Sequence, residues 1–224
     1  MSLTLYQHPL ASFCHKVLIA LYENGHAFDT VLVDLADPDS TSKLLALWPV
    51  GKMPVLHDGA ADRVIPETSI IIEYLDYVHP GPVRLIPDDF DAALEARLWD
   101  RFFDLYVSQP LQTIVLDRIR QDGANDPASV ANARAGLDMA YAMIEARMDG
   151  REFIAGDGFS IADCSATPAL FYAGIVHPFG AGQTALEGYF DRLINRPAAQ
   201  RVLDEARPWF HMFPFRDQIP DRFL

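Results

Sequence analysis

The sequence predicts two kinds of structure in series, an α/β domain followed by an all-helical domain. Three observations carry this. Strand-like alternation and helical stripes take turns up to Val78, a proline-punctuated stretch interrupts them at His79-Pro80-Gly81-Pro82 and Pro87, and beyond it only helical periodicity remains.

Taken in order, Leu3 to Tyr6 reads as a short strand that His8-Pro9 ends. Phe13, Val17, Leu18 and Leu21 then fall on one helical stripe, and Gly25 stands where a helix C-cap belongs. Phe28 to Leu35 places Val31, Val33 and Leu35 on alternate positions, the mark of a half-buried strand. Asp37-Pro38-Asp39-Ser40 is a turn leading into a short helix from Ser42 to Leu47. A strand at Val55 to His57 turns at Asp58-Gly59 into a second at Arg63 to Ile65, and Ile70, Ile71, Tyr74, Leu75 and Val78 make a helix against the sheet. The order β-α-β-α-β-β-α is the thioredoxin-like arrangement, with helices covering both sheet faces. This assigns residues 1–79 to the first domain, 80–90 to a linker and 91–224 to the helical domain.

In the second domain Leu94, Leu98, Phe102 and Leu105 mark one helix, which Pro110 breaks or kinks. Val130, Leu137, Tyr141, Ile144 and Met148 mark another. Further helices run from Ile161 to about Ala173, from Thr184 to Ile194 and from Ala198 to Ala206. In Phe159-Ser160-Ile161-Ala162-Asp163, Ser160 is an N-cap with Asp163 at N3, a variant of the capping box.

Composition excludes several functions. The chain has 224 residues, half of them hydrophobic, enough for a sizeable core, yet no apolar run long enough for a membrane span. The chain starts on a strand pattern with no basic region and apolar signal core, so a cytoplasmic protein is expected. Two distant cysteines, Cys14 and Cys164, support neither a disulfide framework nor a cysteine-rich metal site, and the histidines show no metal-ligand spacing. A formal net charge of -13 argues against nucleic acid as a partner. No metal is expected.

The stretch from Trp48 to Leu75 holds two irregularities that a plain packed domain does not need. Pro54 stands at a strand start, between Met53 and Val55, where a proline is tolerated and a cis bond is a deliberate feature. Pro66-Glu67-Thr68-Ser69 leads straight into a helix, whose free backbone N–H groups and positive dipole end suit a small carboxylate. Together they suggest a pocket for an extended, acidic, peptide-like ligand. These residues resemble the glutathione site of the cytosolic glutathione transferase family. The resemblance implies that the Val55 backbone, after Met53-Pro54, meets the cysteinyl part of glutathione, and that Glu67 and Thr68 hold its γ-glutamyl end. It further implies Lys52 as partner of the glycyl carboxylate, a homodimer, and an electrophile pocket between the proline loop and the helical domain. Arg101, Phe102 and Tyr106 are candidates to line that pocket, set against core and interdomain packing, which is the favoured reading for Phe102, with Tyr172 and His177 closing it.

The chemistry is expected where the first helix begins, at Leu10-Ala11-Ser12-Phe13-Cys14-His15-Lys16-Val17. Activating glutathione means favouring its thiolate, which a hydroxyl donor near a helix N-terminus does without reacting itself. In relatives of the Ser and Cys types the activating residue sits six positions before Val17, which here is Ala11. Ser12 is the leading replacement, set against a plain helix N-cap role. Tyr6, at the end of the first strand, is the second candidate, set against packing. Cys14 would be the second thiol of a Cys-x-x-Cys whose first member is missing, so it reads as a buried apolar residue. The resemblance therefore implies a detoxifying transferase that conjugates glutathione to small apolar electrophiles. A glutathione-binding protein with little turnover, a glutathione-dependent isomerase or dehalogenase, and more distantly a redoxin-like reductase remain as alternatives.

Overall fold

The computed structural model describes residues 3–121 and 124–224. Strands β1 (Leu3–Gln7), β2 (Phe28–Leu32), β3 (Val55–Asp58) and β4 (Arg63–Pro66) form one sheet in the order β2-β1-β3-β4. β1 pairs parallel with β2 and antiparallel with β3, which pairs antiparallel with β4. Helix α1 (Ser12–Glu23) and helix α3 (Thr68–Val78) pack together on one face, and α2 (Pro38–Leu47) lies on the other. The alternation in β1 serves both faces. Leu3 and Leu5 enter the main core with α1 and α3, while Tyr6 packs with Val33, Leu44 and Val55 beneath α2.

Three local expectations need correction. β2 is shorter than Phe28 to Leu35, and of Val31, Val33 and Leu35 only Val33 is buried. The reason is position: β2 is an edge strand, and after Leu32 the chain leaves the sheet at Asp34, whose carboxylate accepts the Ala36 N–H at 2.8 Å. α2 begins at Pro38 rather than Ser42, because Asp37 caps the Asp39 N–H at 3.1 Å and proline is accepted in the first turn. In α3 the buried stripe is Ile71, Ile72, Tyr74 and Leu75, with Ile70 and Val78 exposed.

The helical part comprises α4 (Phe90–Phe102), α5 (Gln109–Arg118), α6 (Pro127–Met148), α7 (Ile161–Val176), α8 (Thr184–Ile194) and α9 (Pro197–Ala206). α4 runs into α5 through a π-helical segment, Phe103–Ser108. Pro110 does not end the helical run; it sits in the first turn of α5. It lacks the N–H that would bond the Tyr106 carbonyl, and the wider π turn just before it accommodates the loss. α7 is buried along nearly its whole length, which is why its sequence is apolar all round. Asp163 accepts the Ser160 N–H at 2.9 Å and its hydroxyl at 3.0 Å, and also the Tyr189 hydroxyl at 2.7 Å. After α9 the chain folds back in short 3-10 turns that bury Phe210, Phe213, Phe215 and Phe223.

The α4 stripe also departs from expectation. Leu94 and Leu98 are 56% and 63% exposed, while Ala93, Ala96, Trp99 and Asp100 face inward. Periodicity locates a helix but not which stripe meets the core, and here the buried stripe carries a carboxylate because a lysine of α1 faces it.

Candidate functional site

Two adjoining clefts meet at the start of α1. Ala11, not Ser12, is the N-cap of α1, with an extended backbone and no side-chain cap. The hydroxyl of Ser12, the first helical residue, therefore has no capping duty, and it makes no hydrogen bond among the described residues. Ser12 is half-buried and lines a cleft of about 530 Å³ with His8, Leu10, Ala11 and Phe13. Val33 to Ala36 and Gly51 to Met53 form its other wall, and Gln112 alone reaches it from the helical domain. Cys14 borders neither cleft and is fully buried, which pushes its thiol pKa up to about 12. That is the behaviour of a packing residue. His15, also buried, is pushed down to about 4, and its Nε2 lies 2.5 Å from the Pro9 carbonyl.

The second cleft, of about 250 Å³, lies between the proline loop, the start of α3 and the π-helical junction of α4 with α5. Lys52, Met53, Pro54, Glu67 and Thr68 all line it, and the Met53-Pro54 peptide is cis. Val55 follows as the first residue of β3, its side chain buried against Val33 and Leu44, so any ligand contact runs through its backbone. Glu67 sits at φ 69, ψ 121 immediately before α3, a conformation that a non-glycine residue adopts at a cost of about 1–3 kcal/mol. Such strain is usual at ligand clamps. Thr68 is buried as the first helical residue, beside amides that have no intrahelical partner.

From the helical domain the second cleft receives Arg101, Asp104, Leu105, Gln109 and Gln112. Of the three expected lining residues only Arg101 is there. Phe102 is buried in an aromatic stack, 4.8 Å from Trp99 and 5.3 Å from the half-exposed Tyr106, and neither Phe102 nor Tyr106 borders either cleft. Helical phase explains this, since positions 101, 105, 109 and 112 share a face that 102 and 106 do not. Tyr172 and His177 do not close the site. Tyr172 is buried between His15 and Phe213, and His177 Nε2 lies 2.7 Å from Asp138 Oδ1 on α6. Tyr6 likewise borders neither cleft, packing beneath α2 instead.

A buried ionic cluster beneath the second cleft escaped the sequence reading. Lys16 Nζ, 1% exposed, lies 2.6 Å from Asp100 Oδ1 and 3.0 Å from both Asp104 Oδ2 and Ser69 Oγ. Ser69 donates to Asp100 Oδ2 at 2.6 Å, Ser165 also donates to Asp100, and Arg101 reaches Asp104 at 3.1 Å. Burial raises the Asp104 pKa, Lys16 opposes it, and the neighbouring Asp100 charge adds to it. The cluster ties α1 and the start of α3 to α4 and α7. One signal was present: Lys16 stands inside an apolar helix, a position that needs a buried counter-charge.

Comparison with known proteins bears on this arrangement. Residues 5–83 match the model of the glutathione S-transferase N-terminal domain, and residues 127–211 match that of the C-terminal domain. A probable glutathione S-transferase of Nicotiana tabacum is 31% identical over 82% of this chain and 72% of its own. The chain belongs to the glutathione S-transferase family.

A stringent starvation protein A homolog of Pasteurella multocida is 28% identical over 92% of each chain. Among solved structures, a glutathione S-transferase from Methylobacterium radiotolerans in complex with glutathione sulfonate has a TM-score of 0.78 and 25% identity, covering 90% of this chain and 94% of its own. For a glutathione S-transferase the departure is chemical rather than architectural. The thioredoxin-like domain and helical domain are in place, and the residue at the head of α1 is Ala11.

Proposed function

We propose that the protein binds glutathione in the smaller cleft and conjugates it to small apolar electrophiles held in the larger one. The observation that carries this reading is the union of the two clefts, which share Phe13, Lys52, Met53 and Gln112. In this reading the γ-glutamyl carboxylate meets the α3 amides and Thr68, its amine meets Glu67, and the glycyl carboxylate meets Lys52. The cysteinyl backbone lies along Val55 after Pro54. That places the sulfur toward the head of α1, where the unpaired Ser12 hydroxyl donates to the thiolate and favours it over the thiol. The mostly apolar walls of the larger cleft, Leu10, Phe13, Val33, Leu35 and Met53, then orient the electrophile for in-place attack.

A homodimer fits the exposed apolar residues Ile70 and Tyr77 on α3 and Phe90, Leu94 and Leu98 on α4, a concentration a lone surface rarely carries. A cytoplasmic location fits two cysteines that are both free and buried. Retention on immobilised glutathione, with a thiolate absorbance band in the complex, tests the reading, and absence of both overturns it.

One observation favours a second reading, a glutathione-binding protein with little turnover: Ala11 offers neither hydroxyl nor thiol. The variants Ala11→Ser and Ser12→Ala separate the two. A competent Ser12 predicts a loss of about tenfold or more on its removal, one hydrogen bond to a charged sulfur. A large gain from Ala11→Ser with no loss from Ser12→Ala selects the binding protein.

A further inference from the structure

The open edge of the sheet carries features that glutathione chemistry leaves unused. β2 pairs with β1 on one side, and among the described residues no strand pairs with it on the other. The Val33 N–H donates to the Gln7 carbonyl at 2.8 Å. The period of two therefore turns the backbone groups of Asp29, Val31 and Val33 toward β1, and those of Phe28, Thr30 and Leu32 outward. Every residue from Asp29 to Leu32 is exposed, which leaves that outward row accessible. A cleft of about 490 Å³ opens beside the same edge, between Phe28 and Thr30 on β2 and Arg201 and Glu205 on α9. It shares no residue with the two clefts at the head of α1.

The walls of this cleft offer more acceptors than free donors. Gln7 lines it at 8% exposure, and its carboxamide oxygen has no hydrogen-bond partner among the described residues. His26 adds a neutral ring, its pKa lowered by burial and then by the neighbouring His79. Arg201, the cation of the lining, is already engaged. It donates to Glu205 at 3.1 Å and lies 3.9 Å over the Tyr22 ring, whose hydroxyl also donates to Glu205, at 2.8 Å. Charge along the chain points the same way: Asp29, Asp34, Asp37 and Asp39 follow one another, with no lysine or arginine between Lys16 and Lys43.

We infer that the β2 edge docks an extended, basic segment of another protein, which adds a fifth strand and places a lysine or arginine side chain in the cleft. Backbone pairing with Phe28, Thr30 and Leu32 gives the segment its register, and the acceptors of the cleft together with Asp29 select its charge. Side chains of an added strand alternate between the two sheet faces. Those on the face of Phe28 and Thr30 enter the cleft, and those on the other meet Asp29 and Val31. A second copy of this chain fits the edge poorly, because it would set aspartate-bearing strands of two chains, each of formal charge -13, against one another.

The test titrates the full chain against a fluorescein-labelled, end-capped Lys-Val-Lys-Val-Lys-Val peptide, with the Glu-Val counterpart as control, and reads fluorescence anisotropy. Expected is saturable binding of the lysine peptide with Kd on the order of 100 µM, and none of the glutamate peptide. Two further lysine peptides carry backbone N-methyl groups, one on its lysines and the other on its valines. Only alternate residues of a docked strand turn their N–H groups to β2, so one methylated peptide loses binding and the other keeps it. Asp29→Lys weakens binding by about tenfold or more, since it sets like charges together where opposite ones met. Thr30→Pro removes an outward N–H while sparing the β1 ladder, and weakens binding as well. Should Thr30→Pro fail to fold, Asp29→Lys, at an exposed position, carries the test alone. Absence of saturable binding, equal binding of the two methylated peptides, equal binding of the glutamate peptide or an unchanged Kd in Asp29→Lys overturns the inference. So does a smaller oligomer for Asp29→Lys on size exclusion, which would make the edge a contact between copies of this chain.

Discussion

Lys16→Met tests whether the buried cluster under the second cleft holds the two domains together. Methionine keeps an unbranched apolar stem, one atom shorter, and deletes the ammonium with its charge and hydrogen bonds. What remains are two carboxylates, Asp100 at 2% and Asp104 at 9% side-chain exposure, with no ammonium between them. Removing one partner of a buried ion pair costs about 3–5 kcal/mol, because the other charge stays desolvated. Ser69 and Ser165 still donate to Asp100 and Arg101 still reaches Asp104, so the lower end, about 3 kcal/mol, is expected here. For a chain of this length that is a fall of about 6–12 °C in Tm. The loss also carries a pH signature. Burial already raises the Asp104 pKa, Lys16 is the largest influence opposing it, and deleting Lys16 moves it further up. A carboxyl whose folded pKa lies above its unfolded value adds stability below the unfolded pKa and loses it as pH rises through the folded one. The deficit is therefore smaller at about pH 5 than at about pH 8. Urea unfolding at the two pH values measures it, and Lys16→Met with Asp100→Asn and Asp104→Asn recovers part of the loss. A deficit under about 1 kcal/mol, or one equal at both pH values, refutes the reasoning.

Other perturbations follow from the same structure. Asp163→Ala removes the acceptor of Ser160 and strands the hydroxyl of fully buried Tyr189, so about 3 kcal/mol of stability should go, more than a cap alone contributes; chemical denaturation reads it. The Asp163 pKa, pushed up to about 6 mainly by burial, adds a pH trend: its contribution is present below the unfolded carboxyl pKa and is lost as pH rises through about 6, which Asp163→Asn should abolish in unfolding measured across that window. Neither cysteine should react with a thiol reagent in the native protein, both being fully buried with raised pKa, and Cys14→Ala should retain activity; rapid labelling would restore the redoxin reading. Leu98→Glu should shift the protein toward a monomer on size exclusion with little change in melting temperature, whereas a wild-type monomer would remove the dimer from the proposal.

Much of the fold was legible because its signals are local. Pro54 at a strand start, Glu67-Thr68 at a helix start and the Ser160-Asp163 box each depend on neighbours a few residues away, and each lies where the sequence placed it. The misplaced side chains share one cause, the choice of face. Leu94 and Leu98 form as good a stripe as any that is buried, yet α4 turns Asp100 inward because Lys16 waits there. Phe102 and Tyr106 look like pocket aromatics, but helical phase gives the cleft to Arg101, Leu105, Gln109 and Gln112. Tyr6 lies in β1, one residue before its end, and strand parity turns its ring beneath α2.

By itself, then, the sequence determined the order of elements, the two-part architecture and the loops that meet at the site, since these follow from periodicity, capping and proline chemistry along the chain. The tertiary structure decided what those loops face. Whether Ser12 is a cap or a free hydroxyl turned on Ala11 taking the cap position, and which nitrogen of the His8 ring carries the proton turned on the Leu10 N–H that Nδ1 accepts. A hydrogen bond to one nitrogen settles the tautomer of the whole ring, and that bond exists only once the chain has folded around it.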